Sequence, residues 1–303
     1  MSRPPSLTLP PRTRVRRLET ARGPFAVLDS VPPGEVPQAG TVLMVPGFIG
    51  SKEDFLPLLQ PLGEAGYRVV AVDGRGQHES PGPAEAAAYA QSELAADVLA
   101  QTEAVDTGGP LHLLGHSMGA LIARAAVLSA PPPYPWASLT LMSTGPAAIQ
   151  PDQQQRVRQL VEWLPVLGKE ALWQEMQQAE GEAEVIELPV EVSEFLNLRW
   201  LNTVPEQLTT TGSWLVAEPD RVPELASVPL PKLVISGSTD YAWPVTWQDS
   251  MAARLGADRA VIPGADHSPN VERPAETARA LVAFWEKVSA RRRTTGSPSG
   301  RRG

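Results

Sequence analysis

The chain has 303 residues, of which 42% are hydrophobic and 20% charged, and its formal net charge is −8. These values are typical of a folded globular protein. The absence of cysteine excludes disulfides, a thiol nucleophile and cysteine metal sites. No stretch approaches the roughly 20 apolar residues of a spanning helix, and the N-terminal segment has no apolar signal core. We therefore expect a cytoplasmic protein without stable membrane association.

Basic residues are concentrated at the two ends of the chain. Residues 1–17 hold five arginines and no acid, and residues 291–303 hold five more arginines. Such ends could contact nucleic acid or anionic lipid. Because no aromatic residues are interleaved with these arginines, we predict instead disordered, solvated tails over 1–12 and 291–303, and no nucleic-acid partner.

Short apolar runs alternate with helical patterns along the chain, which predicts a mostly parallel sheet with helices on both faces, an α/β fold. The predicted strands are 41–45, 67–72, 111–114, 139–142, 233–236 and 260–262. One predicted helix begins after Ser51, and three more cover 92–105, 118–129 and 275–289. The sheet-bearing core would occupy 13–144 and 230–290.

The alternating pattern stops between residues 145 and 229. Two amphipathic helices are predicted there without a preceding strand, and their apolar positions are Val157, Leu160, Val161 and Leu164, then Leu172, Trp173 and Met176. The region also carries four tryptophans, at positions 163, 173, 200 and 214. We predict a helical cap inserted before the last two strands, and the competing interpretation is a packed layer without a role in binding. Trp163 and Trp243 are candidate pocket residues.

The most informative motif is Gly115-His116-Ser117-Met118-Gly119, which lies between an apolar run and a helix of small residues. In this context G-x-S-x-G is typical of a nucleophile elbow, a strained turn from a strand into a helix. The glycines let the backbone bend without Cβ clashes, and a helix N-terminus favours developing negative charge. We predict that Ser117 is a nucleophile.

A catalytic serine needs a base, and the chain has four histidines. His267 follows the last predicted strand, so it should lie at the same edge of the sheet as Ser117. His112 alternates into a buried strand and is interpreted as a core residue. His116 should line the elbow and is a candidate pocket residue, while His78 lies in a loop and could contact substrate or nothing.

The imidazole in turn needs a carboxylate that holds its tautomer. Asp240 follows the strand 233–236. Asp266 is the rival, but its adjacency to His267 makes a contact with the ring awkward, so we interpret it as a turn residue. The resulting order Ser117, Asp240, His267 is the order of the α/β-hydrolase triad.

The sequence resembles the α/β-hydrolase superfamily, in the branch of lid-bearing serine esterases and related hydrolases. The resemblance covers residues 14–290 and is specific at five places: Pro46-Gly47-Phe48, Asp73-Gly-Arg-Gly-Gln-His-Glu-Ser80, the elbow, 237–244 and 264–274. It implies an oxyanion hole formed by the backbone N–H groups of Phe48 and Met118. It also implies that the loop after Asp73 mainly shapes the site.

These observations predict a serine hydrolase that cleaves a carboxylic ester, with a small-molecule substrate and with neither a metal nor an organic cofactor. A thioesterase is the nearest alternative, and a lactonase, a C–C hydrolase or a cofactor-free perhydrolase could use the same triad. A non-catalytic binding protein is the interpretation from a different class. The presence of all three triad residues argues against it.

Overall fold

The fold is described here from a computed structural model, which describes residues 2–105, 109–183 and 188–295. Within these residues one eight-stranded sheet has the order β1-β2-β4-β3-β5-β6-β7-β8. The strands are β1 Thr13–Thr20, β2 Gly23–Ser30, β3 Gly40–Val45, β4 Tyr67–Val72, β5 Leu111–His116, β6 Ser138–Met142, β7 Lys232–Gly237 and β8 Asp258–Ile262. The strands β4, β3, β5, β6, β7 and β8 are mutually parallel. The mostly parallel α/β sheet is therefore confirmed.

The hairpin of β1 and β2 was not among the predicted strands. It pairs antiparallel along its whole length and attaches antiparallel to β4. In β1 only Leu18 is fully buried, so the strand lacks the apolar run by which the other strands were found. The carboxylate of Asp29 on β2 accepts hydrogen bonds from Arg16 and Arg68, which places one of the N-terminal arginines in the sheet.

Successive side chains of each strand point to opposite faces of the sheet. Both faces are apolar, and helices cover both of them. In β3, Val42 and Met44 pack in one apolar cluster, and Leu43 and Val45 pack in the other. The first cluster includes α1 (Leu56–Glu64) and α10 (Pro274–Thr295). The second includes α2 (Gln91–Ala104), α3 (Met118–Ser129) and α8 (Val245–Leu255). A short helix, α9 (Pro269–Glu272), precedes α10.

The predicted helical insertion before the last two strands is present. It comprises α4 (Pro151–Ala183), α5 (Val190–Asn202), α6 (Pro205–Leu215) and α7 (Val222–Ala226). The long helix α4 bends at Gly168, whose φ of 77° lies in the left-handed region. This bend separates the two amphipathic stretches read from the sequence. Trp200 is fully buried in a cluster that also contains Ile49 from the core, so this insertion, the cap, packs directly on the sheet domain.

The two ends of the chain differ from the expectation of disordered tails. Ser2 is buried, and its Oγ lies 2.8 Å from Ser268 Oγ while its carbonyl accepts a hydrogen bond from Arg199 of the cap at 3.0 Å. The N-terminal segment is therefore held between cap and core by residues that local patterns could not pair with it. At the other end α10 runs to Thr295, past the predicted boundary at 291, and residues 296–303 lie outside the described residues.

Among the described helices, none is long and apolar enough to span a bilayer. The cytoplasmic location stays a prediction.

Candidate active site

The turn between β5 and α3 holds Ser117 in a strained conformation. Its φ of 55° and ψ of −121° lie in a region that non-glycine residues rarely adopt. A Cβ on Gly115 would overlap the Gly119 carbonyl, and a Cβ on Gly119 would overlap the Val45 carbonyl. Only glycine fits at either position, and the Ser117 N–H donates to the carbonyl of Met142 on β6 at 2.8 Å. The motif therefore adopts the sharp turn from strand to helix that its spacing predicts.

The structure brings Ser117, His267 and Asp240 together across 150 residues of sequence. His267 Nε2 lies 3.0 Å from Ser117 Oγ, and His267 Nδ1 lies 2.9 Å from Asp240 Oδ1. Both distances are within hydrogen-bonding range. The loops after β7 and β8 supply the acid and the imidazole at the carboxyl edge of the sheet, where the elbow also lies.

The carboxylate of Asp240 is fully buried yet well supplied with donors. Its Oδ1 also accepts the N–H groups of Ala242 at 2.8 Å and Trp243 at 3.1 Å, and its Oδ2 accepts Gln248 Nε2 at 2.8 Å. Burial by itself raises the pKa of Asp240, but the interactions with His267 and the two N–H groups outweigh it and leave the pKa below its usual value. An ionised Asp240 accepts a hydrogen bond from Nδ1–H of the imidazole, which leaves the unprotonated Nε2 as the acceptor of a hydrogen bond from the Ser117 hydroxyl.

The loop after β3 passes beside Ser117. A Cβ built on Gly47 would lie 3.1 Å from Ser117 Cβ, so this backbone approaches Ser117 as closely as glycine permits. Residues 47–50 form a turn in which the Gly50 N–H donates to the Gly47 carbonyl at 3.1 Å. Phe48 is the first central residue of this turn, and Met118 is the first residue of α3, where a backbone N–H has no partner within the helix.

A cavity of about 690 Å³ opens over Ser117 and His267 between the core and the cap. Its walls are largely apolar and include Phe48, Ile149, Leu160, Trp163, Leu215 and Trp243. The three candidate pocket residues His116, Trp163 and Trp243 all line it. Trp163 is 43% exposed, whereas Trp243 is fully buried and donates through Nε1 to the Ala147 carbonyl at 2.8 Å. Trp243 therefore forms a fixed wall and Trp163 part of the open rim.

His116 supports the loop that carries the imidazole. Its Nε2 donates to the backbone carbonyl of His267 at 2.9 Å. Burial, and in smaller part the neighbouring His267, lower the pKa of His116 to about 3, so this ring is neutral.

The two other histidines and Asp266 lie outside the cavity lining. His112 Nδ1 is 2.8 Å from Ser138 Oγ and its ring stacks on Trp285, which agrees with the interpretation as a core residue. The ring of His78 packs edge-on against Phe195 of the cap. The backbone N–H of Asp266 donates to the Glu272 carboxylate, and it is Asp240 that contacts the imidazole.

One group of side chains resembles a metal site in composition. Potential ligand atoms of Glu53, His78 and Glu79 lie within 4.8 Å of one another. However, the buried ammonium of Lys52 already binds Glu79 at 2.7 Å, Glu53 at 2.8 Å and Asp73 at 2.9 Å. Burial opposes the charge of Lys52, but these carboxylates raise its pKa. The cluster is thus an ion-pair network in which lysine supplies the cation.

Sequence reasoning missed the two glutamines that bind the loops of the site. Gln248, eight residues after Asp240, has no exposed surface and binds the second carboxylate oxygen. Gln77, in the loop after β4, donates to the Gly47 carbonyl at 2.9 Å. No helix was predicted over α8, so no local signal marked Gln248, and for Gln77 the signal was only its place in the Asp73–Ser80 motif.

Known proteins agree with this architecture. A stretch of 90 residues is 39% identical to the carbamate hydrolase RutD of Variovorax paradoxus (strain S110). These residues are 30% of this chain and 33% of that protein. This chain therefore matches only about a third of that relative's length.

Solved structures share the fold over most of the chain. An esterase from Thermogutta terrifontis has a TM-score of 0.69 at 22% identity, covering 91% of this chain and 99% of its own. The esterase EaEST from Exiguobacterium antarcticum has a TM-score of 0.72 at 20% identity, covering 90% of this chain and 100% of its own. The sequence profile described as "Alpha/beta hydrolase family" matches residues 42–280. The chain therefore belongs to the alpha/beta hydrolase family.

Proposed function

We propose that this protein hydrolyses a carboxylic ester through an acyl-enzyme on Ser117. The observation that carries the proposal is the unbroken chain of contacts from Ser117 Oγ to His267 at 3.0 Å and from His267 to Asp240 at 2.9 Å, at the floor of an apolar cavity. A nucleophile, a base and an orienting carboxylate in this order are the parts that acyl transfer requires.

In the first half of the reaction His267 Nε2 takes the proton of Ser117 as Oγ attacks the acyl carbon. The ionised Asp240 holds the Nδ1 proton and stabilises the imidazolium that forms. His267 then gives the proton to the departing alcohol oxygen. In the second half the same nitrogen takes a proton from water as the water oxygen attacks the acyl carbon, and His267 then returns this proton to Ser117 Oγ as the acyl–oxygen bond breaks and the acid is released.

The tetrahedral oxyanion would be bound by the N–H groups of Phe48 and Met118. The close approach of Gly47 to Ser117 and the position of Met118 at the first turn of α3 support this assignment. Preorganised donors of this kind act where charge develops in the transition state. Removing one such donor from a serine protease lowers kcat by about 10²–10³.

The apolar cavity favours an ester with at least one hydrocarbon group. Of the similar proteins, two are described as esterases and one as a carbamate hydrolase. Hydrolysis of an ester and of a carbamate both begin with attack on a carbonyl carbon. A thioester, a lactone or a carbamate offers Ser117 the same electrophile. These substrates are therefore included as separate arms of the test.

The test is hydrolysis of p-nitrophenyl esters from acetate to palmitate, with matched thioesters, one lactone and one aryl carbamate, by the wild type and Ser117→Ala. We expect ester turnover that peaks at one chain length and falls by about 10⁵–10⁶ in kcat in Ser117→Ala. A higher kcat/KM for thioester or carbamate would replace the ester assignment. Turnover that survives in Ser117→Ala would refute the assignment of Ser117 as the nucleophile.

A fluorophosphonate supplies a readout that does not depend on guessing the substrate. Ser117 Oγ would displace fluoride from phosphorus, and intact-mass analysis would detect the adduct in the wild type and not in Ser117→Ala. A wild type that neither labels nor turns over any substrate would contradict the catalytic proposal and favour a hydrolase fold that only binds.

A further inference from the structure

We propose that Gln77 is a positioning residue that holds the Phe48 N–H in the orientation needed to bind the oxyanion. The inference rests on the proposed function, since it concerns the oxyanion hole of that same site. It adds a residue from a different loop, the one after β4, to the groups on which turnover depends.

The side chain of Gln77 is clamped at both ends. It is 2% exposed, its Nε2 donates to the Gly47 carbonyl at 2.9 Å, and its Oε1 accepts the Gly74 N–H at 3.0 Å. Exchanging the amide oxygen and nitrogen would set donor against donor at Gly74 and acceptor against acceptor at Gly47. The hydrogen-bond partners therefore define which way the amide points.

This contact determines the direction of the Phe48 N–H because the Gly47 carbonyl belongs to the same peptide group. The peptide unit is planar and trans, so its N–H points opposite to its C=O. A donor that holds the Gly47 carbonyl on one side therefore directs the Phe48 N–H to the other side. Rotation of this one peptide would remove an oxyanion donor without moving Ser117 or His267.

The turn itself is a weak restraint. The Gly50 N–H also donates to the Gly47 carbonyl, at 3.1 Å, but the second central residue of the turn is Ile49 with φ of 58°. A β-branched residue in the left-handed region is strained, so this turn closes at a conformational cost. Gln77 supplies a second, side-chain restraint against rotation of the Gly47–Phe48 peptide.

Gly74 offers an independent way to disturb the clamp. A Cβ at this position would lie 2.5 Å from Gln77 Oε1, closer than nonbonded atoms approach. Because the amide is the far end of a flexible side chain, Gly74→Ala should displace it and leave the backbone in place. Gly74→Ala and Gln77→Met should therefore have the same effect through different atoms.

The experiment compares Gln77→Met, Gly74→Ala and the control Gln101→Met with the wild type. Gln101 is a buried glutamine of α2, 1% exposed, that lies near the same small internal void as Gln77. The readouts are kcat and KM on the best p-nitrophenyl ester, the rate of Ser117 phosphonylation by the fluorophosphonate, and the thermal unfolding midpoint.

For Gln77→Met and Gly74→Ala we expect kcat to fall by about 10–100-fold, less than loss of a whole oxyanion donor because Gly50 still holds the turn. The phosphonylation rate should fall by the same factor, and KM should change by less than about two-fold because ground-state binding does not use the oxyanion donor. Gln101→Met should keep the wild-type kcat.

Two failures are distinguishable. A wild type without Ser117-dependent turnover or labelling overturns both the proposed function and this inference, because no oxyanion site then exists for Gln77 to hold. A wild type that labels normally, with Gln77→Met and Gly74→Ala folded and within two-fold of its kcat and labelling rate, overturns the inference alone. An equal loss in Gln101→Met would also overturn it, by showing a general packing effect.

Discussion

Replacing Arg199 with methionine removes the guanidinium that joins cap to core. Arg199 has no exposed surface, and its Nη1 binds Asp54 Oδ1 at 2.7 Å while its Nη2 donates to the Ser2 carbonyl. Asp54, also buried, lies in the wall of the cavity and would keep only the weaker contact from the Ser51 N–H at 3.3 Å. The variant leaves a nearly unpaired carboxylate in the interior.

Breaking one side of a buried ion pair costs about 3–5 kcal/mol, because the remaining charge loses its partner without regaining water. For a chain of this size each kcal/mol shifts the unfolding midpoint by about 2–4 °C, so we expect a decrease of roughly 10 °C. Arg254→Met is the matched control, since its ion pair with Asp220 is about 40% exposed on both sides and is worth about 0–1 kcal/mol.

The stability loss in Arg199→Met should depend on pH, because Asp54 is titratable. Burial raises the pKa of Asp54 even against the opposing charge of Arg199, and removal of Arg199 raises it further. A carboxyl whose pKa is higher in the folded than in the unfolded state binds its proton preferentially when folded. Arg199→Met should therefore lose most stability relative to the wild type at pH 8 and recover part of it toward pH 5.

The assay is urea and thermal unfolding followed by circular dichroism at pH 5, 7 and 8. Asp54→Asn and the double variant complete a thermodynamic cycle, and we expect the double variant to be about as stable as either single variant. A loss below about 1 kcal/mol in Arg199→Met, or single losses that simply add in the double variant, would refute the buried-pair reasoning.

Three further outcomes follow from the same structure. Asp240→Asn should lower kcat on the order of 10⁴ with little change in KM, because the tautomer is no longer held, and steady-state kinetics would check this. Burial lowers the pKa of His112 to about 4, so the unfolded state takes up this proton first as pH falls. His112 alone should therefore lower stability by about 1.4 kcal/mol per pH unit between about pH 6.5 and 4, and in urea titrations His112→Leu should reduce the slope by that amount and leave the contribution of His116. Gly145→Ala would overlap the Trp243 ring, so unfolding should show a loss of about 1–3 kcal/mol and ester kinetics a raised KM.

Much of the sheet was predictable because buried parallel strands are continuous apolar runs. The predicted strands 41–45 and 67–72 correspond to β3 and β4 to within one residue. The β1–β2 hairpin was missed because its stability comes from pairing and from the Asp29 contacts with Arg16 and Arg68, and neither is visible as a local pattern.

By itself the amino-acid sequence determined the elbow, since the G-x-S-x-G spacing is local and Gly115 is required by the Gly119 carbonyl four residues away, whereas the need for Gly119 comes from the Val45 carbonyl on β3. It also determined which loops face one another, because parallel strands end at a common edge. Only the tertiary structure decided that Gln248 binds Asp240, that Gln77 binds Gly47 and that Arg199 binds Asp54 and Ser2. The physical reason is that periodicity tells which side of an element is buried, whereas the partner of a buried polar group depends on how distant elements pack.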